Sequence, residues 1–318
     1  MTPKERFINA LEIKPATGRV PHFELVFYLT MEAFGKVHPQ HRLFDQYDQM
    51  STKEKSLQLD DIADVYVKIA DKYEHSAIFV QPVPGDINDL IEVLRLIKEK
   101  SGGKYFTMIH GDPTYSIPGG DELEKFIYRL ADEPDIIHRD AEFRVNDSTD
   151  FAEKLKKCGH LDGFALCCDY CFNTNPFLSP DMFGEFITPY LKKITQNYRD
   201  IGYYVIKHTD GNIMPILDQL AQTNPHALHS IDPQAGVDIA EVKRLIGDKI
   251  CLIGNINCGL MQTGTEQEVA ASARYALKHG MPGGGYIYST SNCIYTGMPL
   301  ERYELILDIW RKEGNYFE

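Results

Sequence analysis

Short apolar runs alternate with longer amphipathic stretches along the whole chain, which is the pattern of an α/β protein. The apolar runs predict strands near residues 22, 78, 107, 166, 205, 229, 252 and 287. Helical periodicity predicts helices over roughly 52–73, 87–100, 120–158 with breaks, 180–200, 212–222, 237–246, 265–279 and 299–312. Eight strands separated by helices are what a (β/α)8 TIM barrel requires. We therefore expect one barrel domain over residues 1–318, with N-terminal helical additions and a helical insertion at about 35–75.

Helix start signals support this division of the chain. Capping residues stand ahead of three predicted helices: Thr2 with Glu5, Ser179 with Pro180, and Thr265 with Glu268. The alternative α/β architecture, a doubly wound open sheet, would need a glycine-rich phosphate loop after an early strand, and the sequence has none there.

Composition narrows the range of partners. The formal net charge of -13 over 318 residues argues against a nucleic acid or an anionic membrane as the main partner. No stretch approaches the ~20 apolar residues of a membrane span, and the first residues lack the apolar core of a signal peptide. The seven cysteines have no disulfide-framework spacing. We expect a cytoplasmic protein with free thiols.

Polar side chains gather where the predicted strands end, which is where TIM barrels carry their active sites. They are Glu24, His110, Asp112, Asp169, His208, Asp210, His229, Asp232, Asn255, Asn257, Asn292 and Cys293. Asp and Asn also cap helices and form turns, so either role fits any single one of them. Several histidines, carboxylates and thiols on one rim favour a functional site.

His208, Asp210 and Cys293 form the sharpest candidate metal site. His208 and Asp210 lie two residues apart, so they leave an extended chain on the same face. A catalytic zinc ion has three protein ligands and one open position, and the predicted fifth and eighth strands could supply them together. The alternative is a structural histidine that hydrogen-bonds to a turn aspartate. Cys258 is a further possible ligand, whereas the adjacent Cys167 and Cys168 must face opposite sides of a strand.

The order of several motifs resembles the uroporphyrinogen decarboxylase superfamily over nearly the whole chain. These motifs are "PKERFINALE…GRVP", "SPDMFGEFITPYLKKI", "KHTDGN…ILDQL", "HSIDPQAGVDIAEVKRLIGDKICLIGNIN" and "GTEQEV…GGGYIYSTSNCI". The resemblance implies a (β/α)8 barrel. True decarboxylases of this superfamily use no metal and hold their substrate's carboxylates with an early Arg-rich motif. This chain has no arginine between Arg19 and Arg42, so a polyanionic substrate would be poorly bound.

The other branch of the superfamily consists of corrinoid-dependent methyltransferases with a zinc-binding His-x-Cys motif and a later cysteine. By this resemblance His208 matches the first ligand and Cys293 the last, while Asp210 stands at the position of the middle cysteine. A carboxylate in place of a thiolate makes a harder metal site, which better polarises an oxygen. The resemblance thus implies transfer of a methyl group from an O- or N-methylated small molecule to a corrinoid (cobalamin) on a partner protein.

Roles for the remaining rim residues follow from this hypothesis. Glu24, His110, Asp169 and His229 would complete the coordination, donate a proton or orient the substrate. Asn255 and Tyr286 would contact the corrinoid, and Tyr170, Phe172, Tyr286 and Tyr288 would form an apolar wall.

Three alternatives stay open at this level. They are a metal-independent decarboxylase, a methylcobalamin:thiol methyltransferase, and a corrinoid or tetrapyrrole carrier without catalysis. The carrier would need an Asp-x-His-x-x-Gly run, which the sequence lacks. The oligomeric state does not follow from the sequence.

Overall fold

The structure is a computed structural model that describes residues 1–42 and 44–316. Leu43, within the predicted insertion, and the last two residues of the predicted domain lie outside the described residues. The seven strands are β1 (Ala77–Val80), β2 (Phe106–His110), β3 (Gly163–Cys167), β4 (Tyr204–Thr209), β5 (Ala227–Ser230), β6 (Cys251–Ile256) and β7 (Tyr286–Thr290). They correspond to the second to eighth predicted strands, so those seven predictions are confirmed.

The strands form one parallel sheet in sequence order, β1 to β7. Alternate residues of every strand point to one common apolar cluster, to which Phe79, Met108, Ala165, Ile206 and Ile287 belong. One face of all seven strands can share a single core only if the sheet curls around it. The sheet is therefore a curled parallel sheet of the TIM type, and its polar carboxyl ends meet at one rim.

Helices surround the sheet. They are α1 (Pro3–Leu11), α2 (Thr30–Phe34), α3 (Thr52–Lys72), α4 (Ile87–Ser101), α5 (Glu122–Asp132), α6 (Pro134–Lys156), α7 (Pro180–Phe186), α8 (Thr188–Ile201), α9 (Leu217–Gln222), α10 (Ile239–Ile246), α11 (Cys258–Thr263), α12 (Glu266–Gly280) and α13 (Leu300–Glu313). The predicted caps are confirmed, because Thr2, Ser179 and Thr265 each accept a hydrogen bond from a main-chain N–H of the following helix.

The first predicted strand, near residue 22, is not a regular strand. Residues 20–28 run between β7 and β1 but make only isolated parallel bridges, His22 with Tyr288 and Phe27 with Ile294. Pro21 has no N–H to donate, and the chain bends at Leu25, so a continuous ladder cannot form. The segment still bonds to both neighbours. Phe23 N–H donates to Tyr288 O at 3.1 Å, and Ser76 N–H donates to His22 O at 2.7 Å.

α1 closes the end of the curled sheet opposite the rim. Its residues Phe7, Ala10 and Leu11 belong to the inner apolar cluster, and the Phe7 ring lies 4.9 Å from that of Phe106. No helix in the described part of the chain combines the length and apolarity that crossing a membrane requires.

Candidate metal centre

Asp169, His208 and Asp210 converge at the rim. His208 lies on β4, two residues beyond Ile206 of the inner core, and Asp210 follows two residues later on the same face. Asp169 lies two residues beyond the end of β3, whose Cys167 pairs with His208. One ligand atom from each residue lies within 4.8 Å of the other two. His208 Nε2 is 3.7 Å from Asp210 Oδ1 and 4.0 Å from Asp169 Oδ1.

A chain of hydrogen bonds fixes the tautomer of His208. The Nε2 atom of His229 lies 3.3 Å from the carbonyl oxygen of Thr290, which can only accept, so this nitrogen carries the hydrogen. Burial holds the pKa of His229 well below its usual value, so the ring is neutral and its Nδ1 is a bare acceptor. The Nδ1 atom of His208, 2.7 Å away, must then donate to it. Nε2 of a neutral His208 therefore presents a lone pair to the two carboxylates.

Three electron-rich atoms facing one another are brought together most favourably by a cation between them, which is either a proton, on His208 Nε2 or on one of the two carboxylates, or a metal ion. The Nε2-to-oxygen separations of 3.7 and 4.0 Å exceed the ~2.7–2.9 Å of a charge-assisted hydrogen bond. Zinc bonds of ~2.0–2.2 Å in a tetrahedral site place neighbouring ligand atoms roughly 3.3 Å apart, within reach of small side-chain adjustments. The geometry fits a metal ion better than a proton.

The two carboxylates are held in place by donors. The main-chain N–H of Asp210 donates to Asp169 Oδ1 at 3.0 Å, which ties the two residues together. The hydroxyl of Ser230 donates to Asp210 Oδ1 at 2.7 Å, and the Asn292 amide donates to Asp210 Oδ2. Burial raises the pKa of the Asp210 carboxyl, and the adjacent His208 acts in the opposite direction. A bound cation would favour the carboxylate form in the same way.

Cys293 borders the same site without joining the three clustered atoms. It lines a cavity of about 310 Å³ together with Asp210, Asp232, Cys258 and Asn292. Burial raises the pKa of the half-buried Cys293 thiol to about 12, so without a cation the thiol keeps its proton. A thiol that binds zinc loses this proton to become a thiolate. The role of Cys293 as a third ligand stays a prediction.

Glu24 and His229 lie beneath the site and support it from inside the sheet. Glu24 accepts a hydrogen bond of 2.5 Å from the Thr290 hydroxyl, and the Thr290 carbonyl accepts from His229. The Ser289 hydroxyl lies 3.4 Å from Glu24 Oε2 and 3.5 Å from His229 Nε2. Burial raises the pKa of the Glu24 carboxyl to about 8, so it is protonated at neutral pH. A continuous set of contacts thus runs from Glu24 to His208.

The other predicted site residues are spread more widely. His110, at the end of β2, is exposed and lines a separate cavity of about 320 Å³ with Val80 and Ile109. Asn255 is buried, and its amide donates to Ile231 O at 2.9 Å.

Two of the four predicted wall aromatics do not reach the rim. Tyr286 is the first residue of β7, about 13 Å from the rim at ~3.3 Å per residue, and its hydroxyl donates to Gly254 O at 2.5 Å. The expected corrinoid contact of Tyr286 at the rim is therefore not possible from this position. The Tyr288 hydroxyl donates outward to Ile306 O in α13. Tyr170 is buried beside Thr114, whereas Phe172 is exposed.

The sequence placed Asp169 among four residues that would complete the coordination, donate a proton or orient the substrate, and did not single it out as one of the three clustered ligand atoms. The sequence did contain a signal for this position. Asp169 lies two residues after Cys167, so the two side chains leave β3 on the same face. Ser230 and Asn292, which orient Asp210, carried no such signal. Their contacts join β4, β5 and the segment after β7, and only the curled sheet brings these elements together.

Comparison with known proteins gives the family. The sequence profile of the uroporphyrinogen decarboxylase (URO-D) family matches residues 116–313. The uroporphyrinogen decarboxylase of Thioalkalivibrio sulfidiphilus (strain HL-EbGR7) is 25% identical over 147 residues, 43% of this chain and 39% of that protein. The methylcobamide:CoM methyltransferase MtaA of Methanosarcina barkeri is 24% identical over 204 residues, 60% of this chain and 55% of that protein. The matched regions thus span less than two thirds of these curated relatives.

A solved structure shows the same fold over the full chain. A methyltransferase from Methanosarcina mazei superimposes with a TM-score of 0.76, covering 98% of this chain and 99% of that chain at 17% identity. At this identity the likeness concerns the fold alone. The family profile covers well over half of the 318 residues. The chain belongs to the uroporphyrinogen decarboxylase family.

Proposed function

We propose that the chain is a metal-dependent methyltransferase that moves a methyl group from an O- or N-methylated small molecule to the corrinoid of a partner protein. The observation that carries this proposal is the lone pair of His208 Nε2, fixed by His229 and directed at the carboxylates of Asp169 and Asp210. A metal-independent decarboxylase has no need for such a group.

His208 and Asp210 would hold a zinc ion, with Cys293 as the predicted third ligand and Asp169 as the other candidate. When bound, zinc supplies Lewis acidity toward a substrate oxygen or nitrogen, and the partner's corrinoid supplies the nucleophile. A donor set with at least one carboxylate oxygen is harder than one of two thiolates and a histidine. It therefore favours a substrate that binds through oxygen or nitrogen rather than through sulfur.

The protein residues around the centre set its orientation and its access. By accepting from Nδ1, His229 fixes the tautomer in which Nε2 of a neutral His208 carries the lone pair, and Glu24 holds the Thr290 segment to which His229 donates. The Asp169 side chain is half exposed, so the ligand group is open toward the rim. A substrate and a partner's cofactor can reach the site from that side.

Methyl transfer to a thiol is the second candidate, and the similarity to the methylcobamide:CoM methyltransferase of Methanosarcina barkeri favours it. The decarboxylase alternative is weaker. The rim presents Asp169, Asp210 and Asp232 rather than a basic cluster, so a substrate with many carboxylates would be repelled.

We also propose that residues 20–28 occupy the eighth position of a (β/α)8 barrel, supported by their hydrogen bonds to Tyr288 on one side and Ser76 on the other. The single domain with a helical insertion at about 35–75 stays a prediction.

The experiment pairs metal analysis with methyl transfer. Zinc content is measured in the wild type, His208→Ala, Asp210→Asn and Cys293→Ser, after purification without chelator. Cys158→Ser, at the far end of α6, is the matched control. Transfer to free cob(I)alamin is then measured from methyl ethers, methanol and methylamines, and transfer from methylcobalamin to a thiol is measured alongside. We expect one zinc per chain in the wild type and control, and loss of zinc in His208→Ala and Asp210→Asn. A wild type without metal would overturn the proposal, and methylation of a thiol alone would favour the second candidate.

A further inference from the structure

β4 carries the proposed ligand His208 on one face and the buried cation of Lys207 on the other. The side chain of Lys207, next to His208, is fully buried between the sheet and the helices. Its ammonium lies 2.7 Å from Asp112 Oδ2 and donates to the carbonyl oxygens of Leu166 and Cys168, each at 3.0 Å. Lys207 therefore bonds to the end of β3, the strand that leads into Asp169.

Thr209, on the other side of His208, makes a matching contact. The main-chain N–H of Tyr170 donates to Thr209 Oγ1 at 3.0 Å, and the Lys207 ammonium lies 4.1 Å from the centre of the Tyr170 ring. The residues before and after Asp169 are thus bonded to the residues before and after His208. Together with the bond from Asp210 N–H to Asp169, these contacts join the two ligand-bearing segments.

The attraction between Lys207 and Asp112 does not by itself explain why these two charges are buried. A buried salt bridge costs desolvation that its attraction often fails to offset. Asp112 is anchored independently, because it accepts from the main-chain N–H of Thr114 at 3.0 Å and from the Thr114 hydroxyl at 2.6 Å. The Lys207 ammonium adds a fixed hydrogen-bond donor for the carbonyl groups of Leu166 and Cys168. Its contribution is therefore to the position of these groups.

We propose that Lys207 is a positioning residue that holds Asp169 in place against His208 and Asp210. The inference rests on the proposed metal centre and concerns how that centre is kept in shape. An aliphatic side chain at this position would leave the Leu166 and Cys168 carbonyls without their donor. Asp169 would then be free to move away from the site, and the metal affinity would fall.

The test compares four variants for zinc affinity, by competition with a chromophoric chelator, and for thermal unfolding. They are Lys207→Met, Asp112→Asn, the double variant, and Lys243→Met as the matched control. Lys243 also donates to two main-chain carbonyls, those of Gly284 and Gly285, but at the opposite end of the sheet. Partners of metal ligands typically change affinity about 10–100-fold when removed, so we expect this loss in Lys207→Met.

The double variant distinguishes an effect on the position of Asp169 from an effect on the stability of the fold. It removes both charges, so no unpaired Asp112 carboxylate remains, and it should unfold at a higher temperature than Lys207→Met. Its zinc affinity should nonetheless be as low as that of Lys207→Met, because the carbonyl donor is still missing. Asp112→Asn keeps the ammonium and should lose much less affinity. Lys243→Met should lower the unfolding temperature while zinc affinity stays at the wild-type value.

Thr209 gives an independent check with a conservative rescue. Thr209→Val removes the acceptor for Tyr170 N–H and should weaken zinc binding, whereas Thr209→Ser retains the hydroxyl and should bind like the wild type. If the wild type binds zinc and Lys207→Met binds it equally well, the positioning role is wrong while the metal centre stands. If zinc affinity simply follows unfolding temperature across all variants, Lys207 is structural. A wild type without zinc overturns the metal centre itself.

Discussion

At the residue scale, the proposed role of His208 as a metal ligand depends on His229, which lies outside the three clustered ligand atoms. His229 is neutral because it is fully buried, and its Nε2 hydrogen is directed at the Thr290 carbonyl. Those two facts leave His208 with one possible tautomer when it is neutral. The hydrogen bonds around His208 therefore identify it as a candidate metal ligand without any bound ion.

Glu24 provides a pH test of the interior beneath the site. The folded carboxyl keeps its proton up to about pH 8, whereas an unfolded glutamic acid loses it near pH 4.5. Its contribution to stability is therefore complete below pH 4.5, declines as the pH rises, and is lost above about pH 8. At ~1.36 kcal/mol per pKa unit the change amounts to roughly 5 kcal/mol.

Glu24→Gln cannot titrate, so we expect it to lose less stability than the wild type between pH 5 and pH 8. Urea unfolding at several pH values measures this difference. Equal pH dependence in both proteins would show that Glu24 is ionised in the folded state. Glu5→Gln, at an exposed helix cap, serves as the control substitution.

At the element scale, seven of the eight predicted strands and most predicted helices are present, because their apolar periodicity is strong and their caps are explicit. The sequence could not predict that residues 20–28 would pair only at isolated positions. Their pairing depends on the neighbouring elements, and Pro21 and the bend at Leu25 interrupt it. The site was predictable to the extent that ligands share a strand, as His208 and Asp210 do. Contacts between strands, such as Asn292 with Asp210, depend on the curl of the sheet.

α1 offers a prediction at this scale. Phe7 is fully buried and fills the end of the inner core against Phe23 and Phe106. Phe7→Ala should lower the free energy of unfolding by about 3–5 kcal/mol, measured by urea denaturation, because a large buried ring leaves a cavity. Zinc content of the folded variant should remain unchanged, since α1 lies at the end opposite the rim. Loss of zinc below the unfolding transition would mean that α1 shapes the metal centre.

At the scale of the whole molecule, a bound metal should stabilise the fold by mass action. Free zinc at 100 times its dissociation constant contributes about 2.7 kcal/mol. Removing it with a chelator should therefore lower the unfolding temperature of the wild type by several degrees, as measured by calorimetry. His208→Ala should show no such shift, and chelator already saturated with zinc is the control. An identical unfolding temperature with and without chelator would contradict a resident metal ion.

The alternation along β4 has a consequence for how this family can change its chemistry. Lys207 and Thr209 face the helices and secure the neighbouring strand, while His208 and Asp210 face the mouth. Replacing Asp210 by cysteine would leave the contacts of Lys207 and Thr209, and the main-chain bond to Asp169, in place. The proposed oxygen ligand at this position could therefore be exchanged for a sulfur ligand without loss of the contacts that join the two segments. The residues that would set metal preference are thus separate from those that secure the neighbouring strand.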